Sequence, residues 1–201
     1  MFRAVNVDAT AALLDAAGPR RFVYISSTSV YGHALVPTDR AVWVDESVRP
    51  RPRDIYDETK AAAERLVGAG PAPIVLRIAR CFPEPPPVLA SRLLHRAVAL
   101  SDVAAAVVSA CADSSVTGTY NIAGDYPFTR ADWVALHHDA AAVIESRAPS
   151  IAAVFRDRGW PLPRTIDRVY DSSAAAHALG YRPLGWHASL SSAIAAGGPG
   201  A

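Results

Sequence analysis

A short apolar run followed by hydroxyl side chains lies near the start of the chain: Phe22-Val23-Tyr24-Ile25-Ser26-Ser27-Thr28-Ser29. Four apolar residues without a polar break predict a strand that is buried on both faces, as in a parallel sheet. Residues 74–76, Ile-Val-Leu, predict a second strand of the same kind. The hydroxyls therefore follow the carboxyl end of a buried strand, where open α/β sheets bind ligands. A serine-rich turn that caps its own backbone is the alternative interpretation.

Helical segments flank the two strands. Residues 4–17 are rich in helix formers and end at Gly18-Pro19, and residues 55–67 place apolar side chains at helical spacing before Gly68. This alternation predicts an α/β fold with a doubly wound parallel sheet. Beyond the proline-rich residues 82–87, the sequence predicts a strand within 118–124 and helices over 102–112 (capped by Ser101 or Asp102), 129–146 and 172–179.

Composition excludes several classes of protein. The 201 residues are 51% hydrophobic and carry a net charge of +1, which is typical of one globular domain with or without a small appendage. Arginines are scattered and no apolar stretch approaches the roughly 20 residues of a membrane span, so we expect neither a nucleic-acid nor a membrane partner. Two cysteines, and adjacent histidines that point apart, predict no metal site. A cytoplasmic location is expected.

Tyr56 and Lys60 are the residues with the clearest chemical pattern. They lie four apart at the start of the predicted helix 55–67, so both side chains project from one face. A nearby ammonium favours the phenolate and lowers the pKa of a tyrosine, which can then move a proton. Lys60 is also the only lysine among 20 basic residues, which indicates a position that requires a compact ammonium rather than a guanidinium. Chance is the alternative explanation.

Together these segments resemble the extended short-chain dehydrogenase/reductase family, in its NAD-dependent epimerase/dehydratase branch. The order and separation of the motifs carry the resemblance more than any single one of them. The matching segments are Asn6-Val7-Asp8-Ala9-Thr10 with Leu13-Leu14-Asp15-Ala16-Ala17, Ser26 to Gly32, Tyr56 with Lys60, Leu76-Arg77, Asp102-Val103-Ala104, Tyr120 to Gly124, Ile166 to Asp171, and Leu179 to Pro183.

The resemblance implies an NAD- or NADP-dependent enzyme that oxidises or reduces a hydroxyl or carbonyl of a sugar or sugar nucleotide. It implies a Rossmann-like fold with a small C-terminal α/β substrate lobe, and a homodimer formed through helices 4–17 and 55–67. Ser27 would orient the substrate, Tyr56 would be the acid and base, and Lys60 would hold the nicotinamide ribose. The implied cofactor contacts are Asn6, Ser26, Tyr56, Lys60, Ile78 and Ala79, and the implied substrate contacts are Thr28, Arg80 and His95.

The chain also departs from the family pattern. None of its 12 glycines forms the Gly-rich phosphate-binding turn of the family's first βαβ unit, so we expect that unit to be missing. Residues 1–82 would then be the C-terminal half of the dinucleotide domain, 83–194 the substrate lobe with interleaved Rossmann elements, and 195–201 a disordered tail.

Two substitutions narrow the expected chemistry. Arg80 occupies a position where many relatives carry Asn, and it could bind a carboxylate or phosphate. Thr28-Ser29 lacks the acid pair of the sugar 4,6-dehydratases, which favours an epimerase, dehydrogenase or ketoreductase. The alternative hypothesis is a catalytically inactive remnant or partner-binding module that binds no dinucleotide.

Overall fold

A computed structural model describes residues 2–197 of the chain. A π-helical segment, Ala4–Asp8, leads into helix α1 (Ala9–Ala17). The strands are β1 (Phe22–Ser27), β2 (Val42–Val44), β3 (Pro73–Ile78), β4 (Gly118–Ile122) and β5 (Arg168–Tyr170). The further helices are α2 (Ile55–Gly68), α3 (Pro86–Arg92), α4 (Leu100–Ala112), α5 (Trp133–His138), α6 (Ala140–Arg147), α7 (Pro149–Asp157), α8 (Ser173–Leu179) and α9 (Trp186–Gly197).

The larger sheet is parallel, with strand order β1-β3-β4. Alternate residues of β3 face opposite layers: Ile74 and Leu76 pack with α4 and α8, whereas Val75 packs with α1 and α2. Because helices cover both faces, β1 and β3 carry uninterrupted apolar runs over residues 22–25 and 74–76. The predicted doubly wound α/β fold is confirmed, and the carboxyl ends of β1 and β3 lie side by side, with Ser27 next to Ile78.

A second apolar core lies around α3, α5–α7 and α9, where Leu136, Ile144, Phe155 and Ile166 are fully buried. A two-stranded parallel sheet, β2 with β5, lies beside it. Asn121 of β4 ties this small sheet to the large one, because its amide donates to the carbonyls of Val44 and Asp171 at 3.1 and 3.2 Å. The elements that follow β3 are thereby fixed relative to the strand ends.

Several elements differ from the sequence-based predictions. The helix expected over 129–146 is broken, because Asp139 leaves the helical conformation and its carboxylate caps α6 at the Ala142 amide. Helix α4 begins at Leu100 with no side-chain cap, so neither Ser101 nor Asp102 caps it. Of the tail predicted over 195–201, residues 195–197 belong to α9, and residues 198–201 lie outside the described residues.

The turn after β1 depends on a glycine. A 3-10 segment, Thr28–Leu35, follows the strand, and within it Gly32 has φ of 48° and ψ of −114°. A Cβ at this position would lie 2.2 Å from the Arg51 carbonyl oxygen. That oxygen accepts a 2.7 Å hydrogen bond from the amide of His33. Glycine therefore permits a close backbone approach that fixes the hydroxyl-bearing segment beside the loop before α2.

The surface of the first helices is partly apolar, with Val5, Leu13, Ile55 and Leu66 exposed. This surface is compatible with the predicted homodimer, which stays a prediction. Across residues 2–197, no helix combines the length and the apolar character needed to cross a membrane.

Candidate active site

One cavity of about 640 Å³ opens at the carboxyl ends of β1 and β3. Its wall is formed by the hydroxyl cluster at the end of β1 (residues 26–29), the first two turns of α2 and the residues after β3. Among the residues predicted for the site, those that line it are Ser26, Ser27, Thr28, Tyr56, Lys60, Ile78, Ala79 and Arg80. The fold therefore brings most of the predicted site residues together.

Tyr56 is placed by the first turn of α2. Asp54 caps this helix, since its carboxylate accepts a 2.9 Å hydrogen bond from the Asp57 amide. The phenol is half-buried, and Phe2 packs edge-on against its ring with centroids 6.0 Å apart. Burial raises the pKa of Tyr56, and the Ser27 side chain opposes this rise. At neutral pH the phenol therefore carries its proton.

Lys60 lies one turn further along α2. Its Nζ donates to the Ile25 carbonyl at 2.9 Å and lies 4.9 Å from the centre of the Tyr24 ring. Burial lowers the pKa of Lys60, and the charge of Glu64 works against that shift. The expectation that Lys60 lowers the pKa of Tyr56 is not met, because burial dominates at the phenol and the ammonium is directed towards β1.

A buried ion pair lies beneath the cavity floor. Arg77 of β3 and Glu64 of α2 are 2.7 Å apart, and their side chains are only 8% and 9% exposed. Glu64 also accepts a 2.6 Å hydrogen bond from the Ser26 hydroxyl, and Arg77 donates to the Tyr31 phenol at 3.0 Å. The pair therefore holds a cavity-lining serine in place. The family resemblance included Arg77 but gave it no role. An arginine inside an otherwise apolar strand is the signal that could have indicated a buried acidic partner.

The charged side chains on the cavity wall are cations. They are Arg53, Lys60, Arg80, Arg96 and Arg168, and no Asp or Glu of the described chain belongs to the lining. Such a wall favours an anionic ligand. Arg96 and Arg168 were not predicted, because they come from segments distant in sequence that the fold brings to the strand ends.

The wall arginines differ in their partners. Arg80 is paired with Glu84 at 2.8 Å and Arg168 with the neighbouring Asp167, so each retains only part of its guanidinium for a ligand. Arg96 forms no ion pair within residues 2–197, and its buried Nε has no hydrogen-bond partner there. Burial lowers the pKa of Arg96. Arg96 is therefore the wall cation with most unused hydrogen-bonding capacity.

Two predicted site residues lie away from the lining. The Asn6 amide donates to the Thr59 hydroxyl at 3.0 Å, behind the wall formed by α2. His95 is buried, and its Nδ1 is 2.9 Å from the Arg168 carbonyl oxygen. Burial lowers the pKa of His95 to about 3, so its imidazole is neutral. The structure gives neither residue direct access to the cavity.

Residues 2–77 match the model of the NAD dependent epimerase/dehydratase family. The predicted family resemblance is confirmed over that segment. It includes the hydroxyl cluster, Tyr56, Lys60 and the ion pair of Glu64 with Arg77. No curated protein matches the sequence.

Solved structures with the same fold include several enzymes. UDP-glucuronic acid 4-epimerase from Bacillus cereus, in complex with NAD, is 19% identical with a TM-score of 0.59, and the match covers 92% of this chain and 64% of that one. RMD from Pseudomonas aeruginosa, complexed with NADPH, is 19% identical with a TM-score of 0.62 and coverages of 96% and 73%. dTDP-glucose 4,6-dehydratase from Bacillus anthracis, in complex with NAD, is 15% identical with a TM-score of 0.64 and coverages of 96% and 67%.

At these low identities the TM-scores show a shared Rossmann-type fold and nothing further. The chain spans 64% of the length of the Bacillus cereus epimerase. The epimerase/dehydratase resemblance and the cationic cavity are therefore the observations from which a function is inferred.

Proposed function

We propose that the chain functions as an NAD(P)-dependent oxidoreductase of the epimerase/dehydratase type. The observation that carries this proposal is the convergence of Ser27, Tyr56 and Lys60 on one cavity whose charged side chains are cations. Its substrate would be a sugar or sugar nucleotide with an anionic group. An epimerase, a dehydrogenase and a ketoreductase all fit this description.

The residues present fit the nicotinamide-ribose half of a dinucleotide. The Lys60 ammonium is a compact donor at the cavity wall, of the size that fits between ribose hydroxyls. Ile78 and Ala79 continue that wall from the end of β3 with apolar atoms. A bound nicotinamide would supply the hydride acceptor or donor.

Tyr56 and Ser27 would carry the protein's share of the chemistry. Because burial keeps the Tyr56 phenol protonated, it can donate its proton to a substrate carbonyl oxygen and recover it from the resulting alcohol. Ser27, placed at the end of β1, would hold the same oxygen by a hydrogen bond. Thr28 is the neighbouring hydroxyl on the wall that could share this contact.

The arginines would bind the anionic part of the substrate. Arg96 has the most unused donors, and Arg80 and Arg168 retain some after pairing with their own carboxylates. A guanidinium binds phosphate or carboxylate through two parallel hydrogen bonds. This wall therefore favours a sugar acid or a sugar nucleotide over a neutral sugar.

The first test measures cofactor binding by saturation-transfer NMR and calorimetry with NADH and NADPH. We expect the nicotinamide and its ribose to receive saturation while the adenine does not, since no Gly-rich turn is present in this sequence. A dissociation constant of about 1 mM or weaker is expected, against about 1 µM for a site that holds the whole dinucleotide. Lys60→Met should abolish the signal. Saturation of the adenine, or an unchanged signal in Lys60→Met, contradicts the assignment.

The second test follows turnover at millimolar cofactor. Proton NMR of anomeric signals detects an epimer of UDP-glucuronic acid, and absorbance at 340 nm detects net oxidation or reduction of a panel of UDP-, dTDP- and GDP-sugars. Tyr56→Phe should lower the rate at least about 10²-fold while binding is retained, because it removes only the transferable proton. Full activity in Tyr56→Phe would refute the role of the phenol, and no turnover with any sugar would favour the inactive-remnant alternative.

A further inference from the structure

Lys60 provides the single lysine amine of the sequence, on the wall of the candidate cavity. Among the described residues, no carboxylate lies within ion-pairing distance of that amine. Glu64, the acid one turn further along α2, is instead held by Arg77 and Ser26. The amine has a backbone carbonyl as its hydrogen-bond acceptor and lacks a counter-ion.

This environment raises the share of the uncharged amine relative to a solvated lysine. Burial lowers the pKa of Lys60, because the ammonium loses hydration that one carbonyl contact replaces only in part. An uncharged amine can donate one N–H to the Ile25 carbonyl and keep its lone pair for another atom. A desolvated lysine amine of this kind is a nucleophile towards carbonyl carbons.

The same cavity provides the two other requirements for reaction with a carbonyl compound. Arg96 and Arg168 line it, and Arg96 forms no ion pair within residues 2–197, so its guanidinium can hold an anionic group. Tyr56 lies one helical turn before Lys60, and its protonated phenol is an acid within the same cavity. An anion-binding end, an acid and an amine are thus in one enclosure.

We propose that Lys60 captures small anionic aldehydes and ketones as an imine in this cavity. The Lys60 nitrogen attacks the carbonyl carbon to form a carbinolamine. The carbinolamine then loses its hydroxyl group as water, with the Tyr56 phenol supplying the proton. The nitrogen returns its own proton to the Tyr56 phenolate as the carbon–nitrogen double bond forms. No oxidant or reductant is consumed. The ligand class is an aldehyde or ketone that bears a phosphate or carboxylate.

Capture goes beyond the proposed oxidoreductase function and does not depend on it, because it requires no dinucleotide. The two activities would compete, since an amine held in an imine cannot also bind the hydroxyls of a ribose. A cell metabolite of this class would therefore occupy the site and exclude a cofactor from it.

The experiment uses pyridoxal 5′-phosphate as the probe and sodium borohydride to reduce the imine to a stable secondary amine. Peptide mapping by mass spectrometry distinguishes Lys60 from the N-terminal amine. We expect the adduct at Lys60, with pyridoxal at least about tenfold less effective because it lacks the phosphate. Lys60→Arg should remove that adduct while circular dichroism confirms the fold.

A matched pair of variants tests the anion site. Arg96→Met should reduce capture of pyridoxal 5′-phosphate to the level of pyridoxal, whereas Arg156→Met, an exposed arginine of α7 outside the cavity, should leave it unchanged. Equal labelling by both aldehydes, equal labelling in both variants, or an adduct mainly at the N-terminal amine would overturn the proposal. Failure of NADH to bind would leave it intact, so the two hypotheses fail independently.

Discussion

Loss of the Glu64 charge is the perturbation whose cost the structure defines best. In Glu64→Gln the guanidinium of Arg77 keeps its position at 8% exposure but loses the carboxylate 2.7 Å away. Arg77 then has no charged partner among residues 2–197, and it keeps its hydrogen bond to the Tyr31 phenol at 3.0 Å. A buried cation without a counter-ion carries a desolvation cost that water can no longer offset.

The expected magnitude follows from this change of partners. Breaking a buried ion pair by removal of one charge costs about 3–5 kcal/mol in general. The glutamine side chain of the variant still offers a neutral acceptor, so we expect the low end, about 3 kcal/mol, which is on the order of a 10²-fold change in the unfolding equilibrium. Replacement of both partners, Glu64→Gln with Arg77→Met, removes the buried charge altogether. The double variant should be less destabilised than the sum of the two single variants by about 2 kcal/mol.

The assay is urea unfolding followed by circular dichroism for the wild type, the two single variants and the double variant. Arg156→Met is the control, since Arg156 and its neighbour Asp157 are about three-quarters exposed and their atoms are 4.0 Å apart. Its effect should stay within about 0.5 kcal/mol. Additive single variants, or a Glu64→Gln cost below about 1 kcal/mol, would refute the assignment of Glu64 and Arg77 as a coupled pair that supports the cavity floor.

Two further predictions concern stability. Burial lowers the pKa of His95 to about 3 from its ordinary 6.5, so only the unfolded chain takes up the proton and stability should fall as pH drops from 6.5 towards 3. Unfolding measured at a series of pH values should show a shallower fall in stability for His95→Gln than for the wild type. The exposed His187→Gln should show the same fall as the wild type. Gly32→Ala should lower the free energy of unfolding by at least about 2 kcal/mol more than Gly180→Ala, since the new Cβ strikes the Arg51 carbonyl, whereas Gly180 has φ of 63° and open space around it. Equal losses in the two glycine variants would contradict the steric argument.

The elements of the large sheet were predictable because their signals are local. β1 and β3 contain uninterrupted apolar runs at residues 22–25 and 74–76, and α2 has apolar residues at helical spacing with Gly68 at its end. Shorter elements carry no such signal. β2 and β5 contain three residues each and pair across more than a hundred positions, so neither periodicity nor composition distinguishes them from loop.

The break in the helix expected over 129–146 shows a competing local rule. Residues on both sides of Asp139 can form helix, and those after it begin with three alanines, which favours one continuous helix, but an aspartate also favours the cap position. In the structure Asp139 caps a new helix, because its carboxylate accepts a hydrogen bond from the Ala142 amide. The Ala140 amide donates to the carbonyl of Arg164 and not to a carbonyl of the preceding helix. The decisive partner lies 24 positions away, and no local pattern indicates it.

The candidate site also combines residues that a local sequence pattern indicates with residues that no local pattern indicates. Ser27, Tyr56 and Lys60 were predicted from a strand end and a four-residue spacing, which are local features. Arg96 and Arg168 reach the same cavity from segments beyond β3. Arg168 lies in β5 of the small sheet, which Asn121 ties to the large sheet, and Arg96 is held by backbone hydrogen bonds that pair its segment with Arg80. Two of the five cations of the wall, Arg96 and Arg168, therefore had no local signal in the sequence.

The pKa shifts of Tyr56 and Lys60 connect the two proposals. Their spacing correctly placed both side chains on one wall, but the predicted coupling between them assumed that the ammonium acts on the phenol. Burial instead raises the pKa of the phenol and lowers that of the ammonium, and each shift favours the uncharged form. The arginines then supply the charge that attracts an anionic ligand, while the phenol stays available as a proton donor and the amine as a hydrogen-bond donor or nucleophile. A ligand that first binds through its anionic group would therefore meet a phenol and an amine whose uncharged forms are both favoured by burial relative to solvated side chains.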